Sequence, residues 1–514
     1  MAWEATERAR QYLATEHGVV HRDWGGQVPI ALVYPNSYAV GMSSLAIHTL
    51  YRFFNAQHGI VCERAFAWLD RPDEDAGPPL TLESQRPIGE AAVIAISVSF
   101  EMDYFHVVSL LQRAGVPLRA TDRDDSAPLV LLGGPAVSAN PAPLAPLADA
   151  MLIGEAEPAL SSLAEALRQE APAGRSSLLT ALATLPGLYV PRHQVGRAVQ
   201  RLYLEDLDAW PTASTVIAPR ASFGDMHLIE IARGCQRGCR FCLAGQLYRP
   251  MRQRSMAHIL QQARQGLTYH HKVGLVAAAV SDYAYIDELV TELRALGIAI
   301  SVSSLRVRPL SPVLLQALQD SGAQSITLAP EAGSDELRLA MAKGVTHDDV
   351  LRAAELAAGR FAALKLYYMV GLPGETDADV DEIVTLSAEV QRAFGRQVVV
   401  NVTPFVPKAH TPLARVAVAD ERVIAERLRR LQSRCRSARL QFRAESAWQA
   451  RVQTVLSRGD EAVGEALLAL PDSNPRHWLR DARAIGLDVD RYLAALPADE
   501  SAPWDMVIID GERG

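Results

Sequence analysis

Lysine is the residue that this sequence lacks most. Its 51 basic residues include only four lysines, and the remainder are arginine. This imbalance indicates a bias of composition rather than a specific chemistry. All four lysines nevertheless follow the one cysteine-rich segment of the chain, and they are Lys272, Lys343, Lys365 and Lys408.

The sequence also lacks the marks of a secreted or membrane protein. Of its five cysteines, Cys62 and Cys435 are too isolated to suggest a disulfide framework. No apolar run approaches the ~18 residues that a membrane span needs. The net charge of -8 argues against a general nucleic-acid surface. We therefore expect a cytoplasmic protein with no membrane partner.

The other three cysteines form a C-x-x-x-C-x-x-C segment, Cys235, Cys239 and Cys242, with the aromatic Phe241 just before the last thiol. Three thiolates on one loop can hold three irons of a 4Fe-4S cluster and leave the fourth iron without a protein ligand. Structural zinc is the alternative, but it normally takes four ligands. No fourth cysteine or histidine lies close by in the sequence. The spacing therefore favours a cluster over zinc.

This spacing resembles that of the radical S-adenosylmethionine (SAM) superfamily. In those enzymes the amino and carboxylate groups of SAM bind the fourth iron, and reduction of SAM yields a 5'-deoxyadenosyl radical. The resemblance implies a 4Fe-4S cluster and SAM as cofactors, with Phe241 among the cofactor contacts. It also implies an electron donor such as flavodoxin or ferredoxin.

Six arginines lie around the cysteine segment. They could balance the charge of an anionic cluster and a SAM carboxylate, meet an acidic substrate, or lie at the surface with solvated head groups. The sequence leaves these alternatives open. The six are Arg233, Arg237, Arg240, Arg249, Arg252 and Arg254.

The chain is too long for a single core, so we expect two or three domains. Residues 1–195 alternate between apolar strands and amphipathic helices, which predicts an α/β, Rossmann-like parallel sheet. A linker rich in Pro, Gly and Arg follows over 196–222. The strands of this first domain are predicted at 30–34, 61–66, 92–98, 129–132 and 151–153.

This first domain resembles the cobalamin-binding domain that precedes many radical SAM barrels. The Gly133-Gly134 turn would admit the nucleotide tail of cobalamin, because glycine lets a ligand lie against the backbone. The D-x-H-x-x-G sequence that supplies histidine to cobalt is absent from the chain. Either cobalamin binds without a protein histidine, or the domain has lost it. His48, on an apolar helix face, is interpreted as a packed residue rather than a cobalt ligand.

Residues 223–420 start a second βα series, which the resemblance identifies as a partial (β/α)6 radical SAM barrel. Its first strand would deliver the cysteines at its carboxyl end, where barrel active sites lie. Residues 421–514 are predicted as a helical C-terminal region, and the arginine-rich helix there as a solvated face. The barrel strands are predicted at 227–232, 273–280, 298–302, 325–329, 363–370 and 398–402.

The resemblance places SAM contacts in the loops that follow these strands. Ser281 and Asp282 stand where many members of the superfamily have Gly-Gly-Glu, which binds the amino group of SAM. Asp282 could also cap the next helix. For Glu331, a solvated loop carboxylate is the alternative. The remaining contacts would be Glu331, Gly333 and Ser334 at the methionine and ribose, and Gly371, Pro373 and Gly374 at the adenine.

We therefore expect a radical SAM enzyme that acts on an unidentified substrate, with methylation as the outcome if cobalamin is bound. No catalytic acid or base can be named. A methylthiotransferase is one alternative, although those enzymes carry a second cysteine trio and only Cys62 precedes Cys235 here. A non-catalytic iron-sulfur scaffold is the other, but it would not need the strand-end segments PEAGS and GLPGET.

Overall fold

The computed structural model describes residues 2–72, 77–194 and 196–509 of the chain. Their contacts divide the protein into two units. The first comprises Met1–Asp225, Val455–Val489 and Asp499–Gly514, and the second comprises Met226–Thr454 and Asp490–Ala498. The predicted boundaries at 195, 222 and 420 stay a prediction. In the structure, the expected linker 196–222 belongs to the first unit, and the C-terminal residues are divided between both units.

One mixed sheet forms the centre of the first unit. Its strands lie in the order β2-β1-β3-β4-β5-β6, with the first five parallel and β6 antiparallel to β5. The predicted Rossmann-like α/β sheet is therefore confirmed. The order reverses between β1 and β3, and ligands in such sheets bind beyond the strand ends at that point. The strands are β1 Val28–Ser37, β2 Ile60–Trp68, β3 Val93–Ser97, β4 Leu129–Gly133, β5 Ala150–Leu152 and β6 Leu188–Tyr189.

Helices pack against this sheet. Its strands are therefore continuous apolar runs rather than alternations of apolar and polar residues. His48, on the helix Leu45–Ala56, lies in the core: its Nε2 is 3.0 Å from the Met42 carbonyl oxygen, and its Nδ1 accepts from the Thr215 backbone N–H. The interpretation of His48 as a packed residue is confirmed. The helices are Ala2–Leu13, Tyr38–Gly41, Leu45–Ala56, Tyr104–Arg113, Pro135–Ala139, Leu160–Glu170, Arg175–Leu182, Glu461–Ala469 and Trp478–Ala484.

Seven parallel strands in sequence order form the second unit. They make two ladders, β9-β8-β7 and β10-β11-β12-β13, and a parallel bridge between Leu305 and Leu328 lies between the two. All six predicted strands are present, which fits the partial barrel. The seventh strand lies within residues 421–514, which are mostly helical as predicted. The strands are β7 His227–Glu230, β8 Lys272–Val276, β9 Ala299–Val302, β10 Ser325–Glu331, β11 Ala363–Val370, β12 Gln397–Pro404 and β13 Gln441–Ala444.

Helices follow the strands of this unit as βα repeats require. The arginine-rich helix Glu421–Ser437 is mostly exposed, as predicted, except that Arg427 is partly buried in an ion pair with Glu375. Among the described residues, no helix has the length and apolarity to cross a membrane. The helices are Leu243–Leu247, Met256–Gly266, Ile286–Ala295, Pro312–Asp320, Asp335–Ala340, His347–Ala357, Asp377–Phe394 and Glu421–Ser437, with Ala447–Arg458 and Val489–Leu493 at the unit boundaries.

Candidate functional site

The three clustered cysteines lie on a loop that follows β7 and is closed by a short antiparallel pairing of Ala232–Arg233 with Arg252–Gln253. The loop begins at Gly234, whose φ is +83°. A side chain there would place its Cβ 2.1 Å from the Tyr248 carbonyl oxygen, so only glycine fits this turn.

The thiols of this loop are free, and they differ in burial. Cys239 is buried, whereas Cys235 and Cys242 are partly exposed. The Cys242 N–H donates to the Cys239 carbonyl at 3.2 Å. Among the described residues, no three His, Cys, Asp or Glu side chains are gathered closely enough to hold a metal ion. The assignment of a cluster therefore rests on the chemistry of the donor set: three free thiols on one loop, which suit iron-sulfur ligation.

The six arginines around the loop have different partners. Five of these side chains bind protein groups, either a carboxylate or backbone carbonyls, and Arg249 also has a partner. A surface position with a solvated head group therefore describes Arg240, which is exposed and contacts only a backbone carbonyl, but not the set as a whole. The contacts run from Arg233 to Glu230, from Arg237 to Asp282, from Arg240 to Ala340, from Arg252 to Tyr248 and Pro250, and from Arg254 to Glu230.

Asp282 is held by arginines rather than used as a helix cap. Arg237 donates through Nε and Nη2 to its two carboxylate oxygens at 3.1 and 2.9 Å, and Arg306 lies 3.6 Å away. The Asp282 side chain is only 1% exposed. The following helix has Tyr285 at its N-cap position with no side-chain cap, so the capping interpretation was wrong. Ser281 lies alongside, where its hydroxyl accepts from the Arg306 N–H at 3.4 Å.

Glu331, at the end of β10, forms a partly buried ion pair. Lys343 donates to its carboxylate at 2.9 Å, and the two side chains are 13% and 17% exposed. The alternative of a solvated loop carboxylate was therefore wrong. Burial raises the pKa of the Cys239 thiol, and the nearby cations of Lys343 and Arg306 oppose that rise. Lys343 thus places positive charge close to the cysteine loop.

Gly333 and Ser334 each have a packing role. A Cβ on Gly333 would lie 2.2 Å from the Asp379 carbonyl oxygen, so the glycine permits close contact with the helix Asp377–Phe394. Ser334 caps the helix Asp335–Ala340 by accepting from the Leu337 N–H, and its hydroxyl donates to Asp379. Their contacts with SAM stay a prediction.

The GLPGET turn after β11 is built around a buried carboxylate. Gly371 and Gly374 have φ of +84° and +79°. The Gly371 N–H and the Arg427 guanidinium both donate to one oxygen of Glu375, each at 2.6 Å. Burial raises the pKa of Glu375 to about 7, although the Gly371 hydrogen bond and Arg427 oppose it. Pro373 lies in the same turn, partly buried.

A small apolar cluster brings these loops together. It contains Phe241 from the cysteine loop, Ala332 after β10, Leu372 after β11, and Phe405 after β12. The Arg240 N–H also donates to the Met341 carbonyl at 3.0 Å, which attaches the cysteine loop to the segment that leads to Lys343. The loops that carry predicted site residues after β7, β10 and β11 therefore meet at the carboxyl edge of the parallel strands, where barrel enzymes hold their ligands.

In the first unit, the Gly133-Gly134 turn is packed against protein. Gly134 has a φ of +106°, and a Cβ there would lie 2.5 Å from the Val98 carbonyl oxygen. Further along the same loop, the Asn140 amide donates to the Ser457 and Gly459 carbonyls at 3.1 and 2.8 Å. Packing thus accounts for Gly134, and a cobalamin contact there stays a prediction.

Two family descriptions match the chain. "Radical SAM superfamily" covers residues 229–386, and "Radical SAM proteins, N-terminal" covers 46–191. The chain belongs to the radical SAM superfamily. The resemblance seen in the cysteine spacing is thereby confirmed, and the chain is a radical SAM enzyme.

Two proteins are similar to this chain in sequence. The chain is 28% identical over 487 residues to an uncharacterised protein of Methanocaldococcus jannaschii. That match covers 93% of this chain and 98% of the other protein. It is 24% identical to a tRNA-2-methylthio-N(6)-dimethylallyladenosine synthase of Geobacillus thermodenitrificans. That match covers 51% of this chain and about half of the synthase.

Solved structures of two radical SAM enzymes share the fold. The methyltransferase TsrM of Kitasatospora setae, with tryptophan and a SAM analogue bound, is 16% identical, with a TM-score of 0.52 over 77% of this chain and 78% of that chain. The cobalamin-dependent enzyme OxsB with aqua-cobalamin is 12% identical, with a TM-score of 0.53 over 91% and 72%. At these identities the likeness concerns the fold alone.

The sequence did not predict the roles of four side chains at the site. They are Lys343, Arg306, Arg427 and Arg237, the last of which pairs with Asp282. Arg237 was noted only as one of six arginines. A signal for Lys343 was present, because lysine is rare in this chain and one of the four follows PEAGS closely. The others become recognisable only when their carboxylate partners are located.

Proposed function

We propose that this radical SAM enzyme holds a 4Fe-4S cluster on Cys235, Cys239 and Cys242 and reductively cleaves SAM to begin radical chemistry on a substrate. The observation that carries this proposal is the meeting of the cysteine loop with the loops after β10, β11 and β12 in one apolar cluster. When bound, the cluster supplies the electron that breaks a carbon–sulfur bond of SAM. The electron donor would be a flavodoxin or ferredoxin.

The residues of the chain would position and shield this chemistry. Arg237 and Asp282 join the cysteine loop to the segment after β8, which fixes the loop on the barrel. Lys343 and Arg306 offset negative charge close to Cys239. The SAM contacts would come from Ser281, Asp282, Glu331, Gly333 and Ser334, and from the turn with Gly371, Pro373 and Gly374.

The decisive experiment is anaerobic reconstitution with iron and sulfide, followed by addition of SAM and dithionite. We expect 5'-deoxyadenosine and methionine by liquid chromatography, and a 4Fe-4S signal by Mössbauer spectroscopy. The variant with all three cysteines of the loop replaced by alanine is the control, and it should contain no cluster. A cluster-loaded wild type that leaves SAM intact would instead support the iron-sulfur scaffold. Full cluster retention in the control would show that these three cysteines are not the cluster ligands.

We also propose that the first unit binds cobalamin, in which case the reaction would be methylation. The strand order with its reversal between β1 and β3 supports this, as does the fold shared with OxsB and TsrM. The loop after β3 presents Phe100, which is 45% exposed, whereas the Gly134 turn is packed against Val98. Binding would therefore use the loops after β1 and β3 and no histidine of the D-x-H-x-x-G type.

Uptake of hydroxocobalamin tests this second proposal. Wild-type protein should bind it with a change in its visible spectrum, and Phe100→Ala should weaken binding at least threefold. Ile508→Ala is the matched control, because Ile508 is about as exposed in the same unit, at 46%, and it pairs with Gln200, outside both loops. A Gly134 variant would be a poor test, since any side chain there meets the Val98 backbone. No uptake by cluster-loaded wild type would make methylation through cobalamin untenable.

A further inference from the structure

Alternate residues of β11 and β12 face in opposite directions, and burial shows which face is which. Leu364, Leu366, Tyr368 and Val370 are all at most 1% exposed, and the Ser387 hydroxyl of the helix Asp377–Phe394 donates to the Tyr368 hydroxyl at 3.1 Å. These even-numbered residues therefore face the outer helices. The odd-numbered residues of the same strand face the concave side of the sheet.

The concave side carries a set of polar residues that we call the polar row: Lys365 and Tyr367 on β11, Asn401 on β12 and Arg443 on β13. Register places Tyr367, Asn401 and Arg443 directly beside one another on three adjacent strands. Lys365 is two residues before Tyr367, opposite Thr327 of β10. The row thus lies across the middle of the strands, on the same sheet as the loops of the SAM site.

The charge of the polar row is not neutralised within the described residues. Lys365 and Arg443 have no carboxylate partner there, whereas Lys343 is paired with Glu331. Tyr367 is 41% exposed, and Lys365 is partly exposed. A solvent-accessible lysine within the strand ALKLYYMV is also unusual for this chain, which uses arginine for almost every other cation. Two cations and a phenol on one concave face suit an anionic group.

We infer that the polar row binds an anionic group of the substrate, a phosphate or a carboxylate, and this inference rests on the proposed function. Adjacent strands are about 4.8 Å apart, so the Tyr367 and Arg443 backbones are separated by roughly 10 Å. The long side chains of Lys365 and Arg443 can span that gap and meet one anion above Asn401. The Tyr367 hydroxyl would donate a further hydrogen bond to it.

Calorimetric titration of the cluster-loaded, SAM-bound enzyme tests the inference. The probes are inorganic phosphate, pyrophosphate and malonate, each compared with chloride at constant ionic strength so that general screening cancels. Lys365→Ala and Arg443→Ala should each weaken binding of the preferred probe at least tenfold. Lys365→Arg should restore part of the affinity. Arg264→Ala, on the exposed face of the helix Met256–Gly266, is the matched control and should bind like wild type.

The outcomes separate the sources of the anion. Tight binding of phosphate or pyrophosphate alone assigns a phosphorylated substrate, and tight binding of malonate alone assigns a carboxylate. Absence of saturable binding by wild type, or equal binding by the Lys365→Ala/Arg443→Ala double variant with unchanged thermal unfolding, overturns the inference. SAM cleavage is measured on the same wild-type preparation. Anion binding without SAM cleavage would refute the proposed function but support anion binding by the polar row. SAM cleavage without anion binding would support the proposed function and refute anion binding by the polar row.

Discussion

At the scale of single residues, Glu331 combines an unusual backbone with a buried charge. Its φ of +73° lies in the left-handed region, which costs a non-glycine residue about 1 kcal/mol. The residue nevertheless keeps its carboxylate in an ion pair with Lys343. A position needed only for a turn would accept glycine, so the presence of a charged residue in this conformation fits a binding role.

Two substitutions at this position separate the carboxylate from the backbone. Glu331→Ala and Glu331→Gly should both weaken SAM binding by roughly tenfold while they retain the cluster, because both remove the carboxylate. Glu331→Gly should be more stable than Glu331→Ala by about 1 kcal/mol, since glycine adopts positive φ without strain. Urea unfolding and equilibrium SAM binding measure the two effects. If both variants bind SAM as tightly as the wild type, Glu331 does not contribute to the SAM site.

The Glu375 carboxyl should make stability depend on pH. Burial raises its pKa from 4.5 to about 7, so between these values the folded state binds more protons than the unfolded state. The free energy of unfolding contributed by this group is then fully present below pH 4.5 and is lost as pH rises through 7. At about 1.4 kcal/mol per pKa unit, the loss amounts to about 3 kcal/mol.

Glu375→Gln removes this titration and provides the comparison. Denaturant unfolding at several values between pH 5 and pH 8 should show wild type losing stability relative to the variant as pH rises. The Gly371 hydrogen bond can still be accepted by the Gln side-chain oxygen, so the turn itself should persist. Parallel pH profiles for the two proteins would show that Glu375 is ionised across the whole range.

At the scale of elements, the cysteine loop depends on contacts with neighbouring βα segments. Gly234 sets its entry beside Tyr248, Arg240 attaches it to Met341, and Arg237 attaches it to Asp282 after β8. Because Asp282 is almost fully buried, removal of Arg237 would leave its charge only partly compensated by Arg306. The position of the loop therefore depends on this pair.

We expect Arg237→Ala to release iron to a chelator at least threefold faster than wild type, because the loop loses its attachment to Asp282. Arg240→Ala is the control: it removes another loop cation, but one whose side chain contacts only the Ala340 carbonyl. The double variant Arg237→Ala/Asp282→Asn should recover part of the retention, since it no longer leaves a buried charge. Equal release from Arg237→Ala and Arg240→Ala would show that overall charge, not this pair, matters.

At the scale of the whole molecule, the first unit is built from segments that come both before and after the second unit in the sequence. Residues 455–489 pack with the N-terminal sheet domain, where Asn140 binds two carbonyls of Ser457 and Gly459. Gly464 lies in the helix Glu461–Ala469. A Cβ on Gly464 would lie 2.3 Å from the Pro143 carbonyl oxygen, so this helix packs closely on the segment that follows β4. The C-terminal segment is therefore structural for the first unit.

Asn140→Ala should lower the stability of the first unit by about 1 to 3 kcal/mol, because it leaves buried carbonyls without donors. Differential scanning calorimetry of the full chain measures this loss. Asn401→Ala, whose amide makes only long contacts of 3.4 and 3.5 Å in the second unit, should have a smaller effect. An unchanged unfolding profile for Asn140→Ala would show that the C-terminal segment contributes little through this contact.

The sequence by itself determined the parts of this protein that depend on neighbours along the chain. Cysteine spacing identified the cluster loop, apolar runs located six barrel strands and five strands of the first sheet, and an apolar helix face placed His48 in the core. Each signal depends on a few consecutive residues or on one strand or helix period, so no distant contact was needed. The GLPGET turn was also recognisable, because glycine and proline favour turns and glycine permits left-handed backbone.

The tertiary structure alone decided which charges meet and which segments share a unit. Glu331 and Lys343 are twelve residues apart, Arg237 and Asp282 forty-five, and Asn140 and Ser457 more than three hundred. The four-residue strand β13 was also missed, because it is mostly polar and each of its residues pairs with one forty-two residues earlier. Ion pairs and ladder pairing depend on positions that folding brings together, and local periodicity does not encode these.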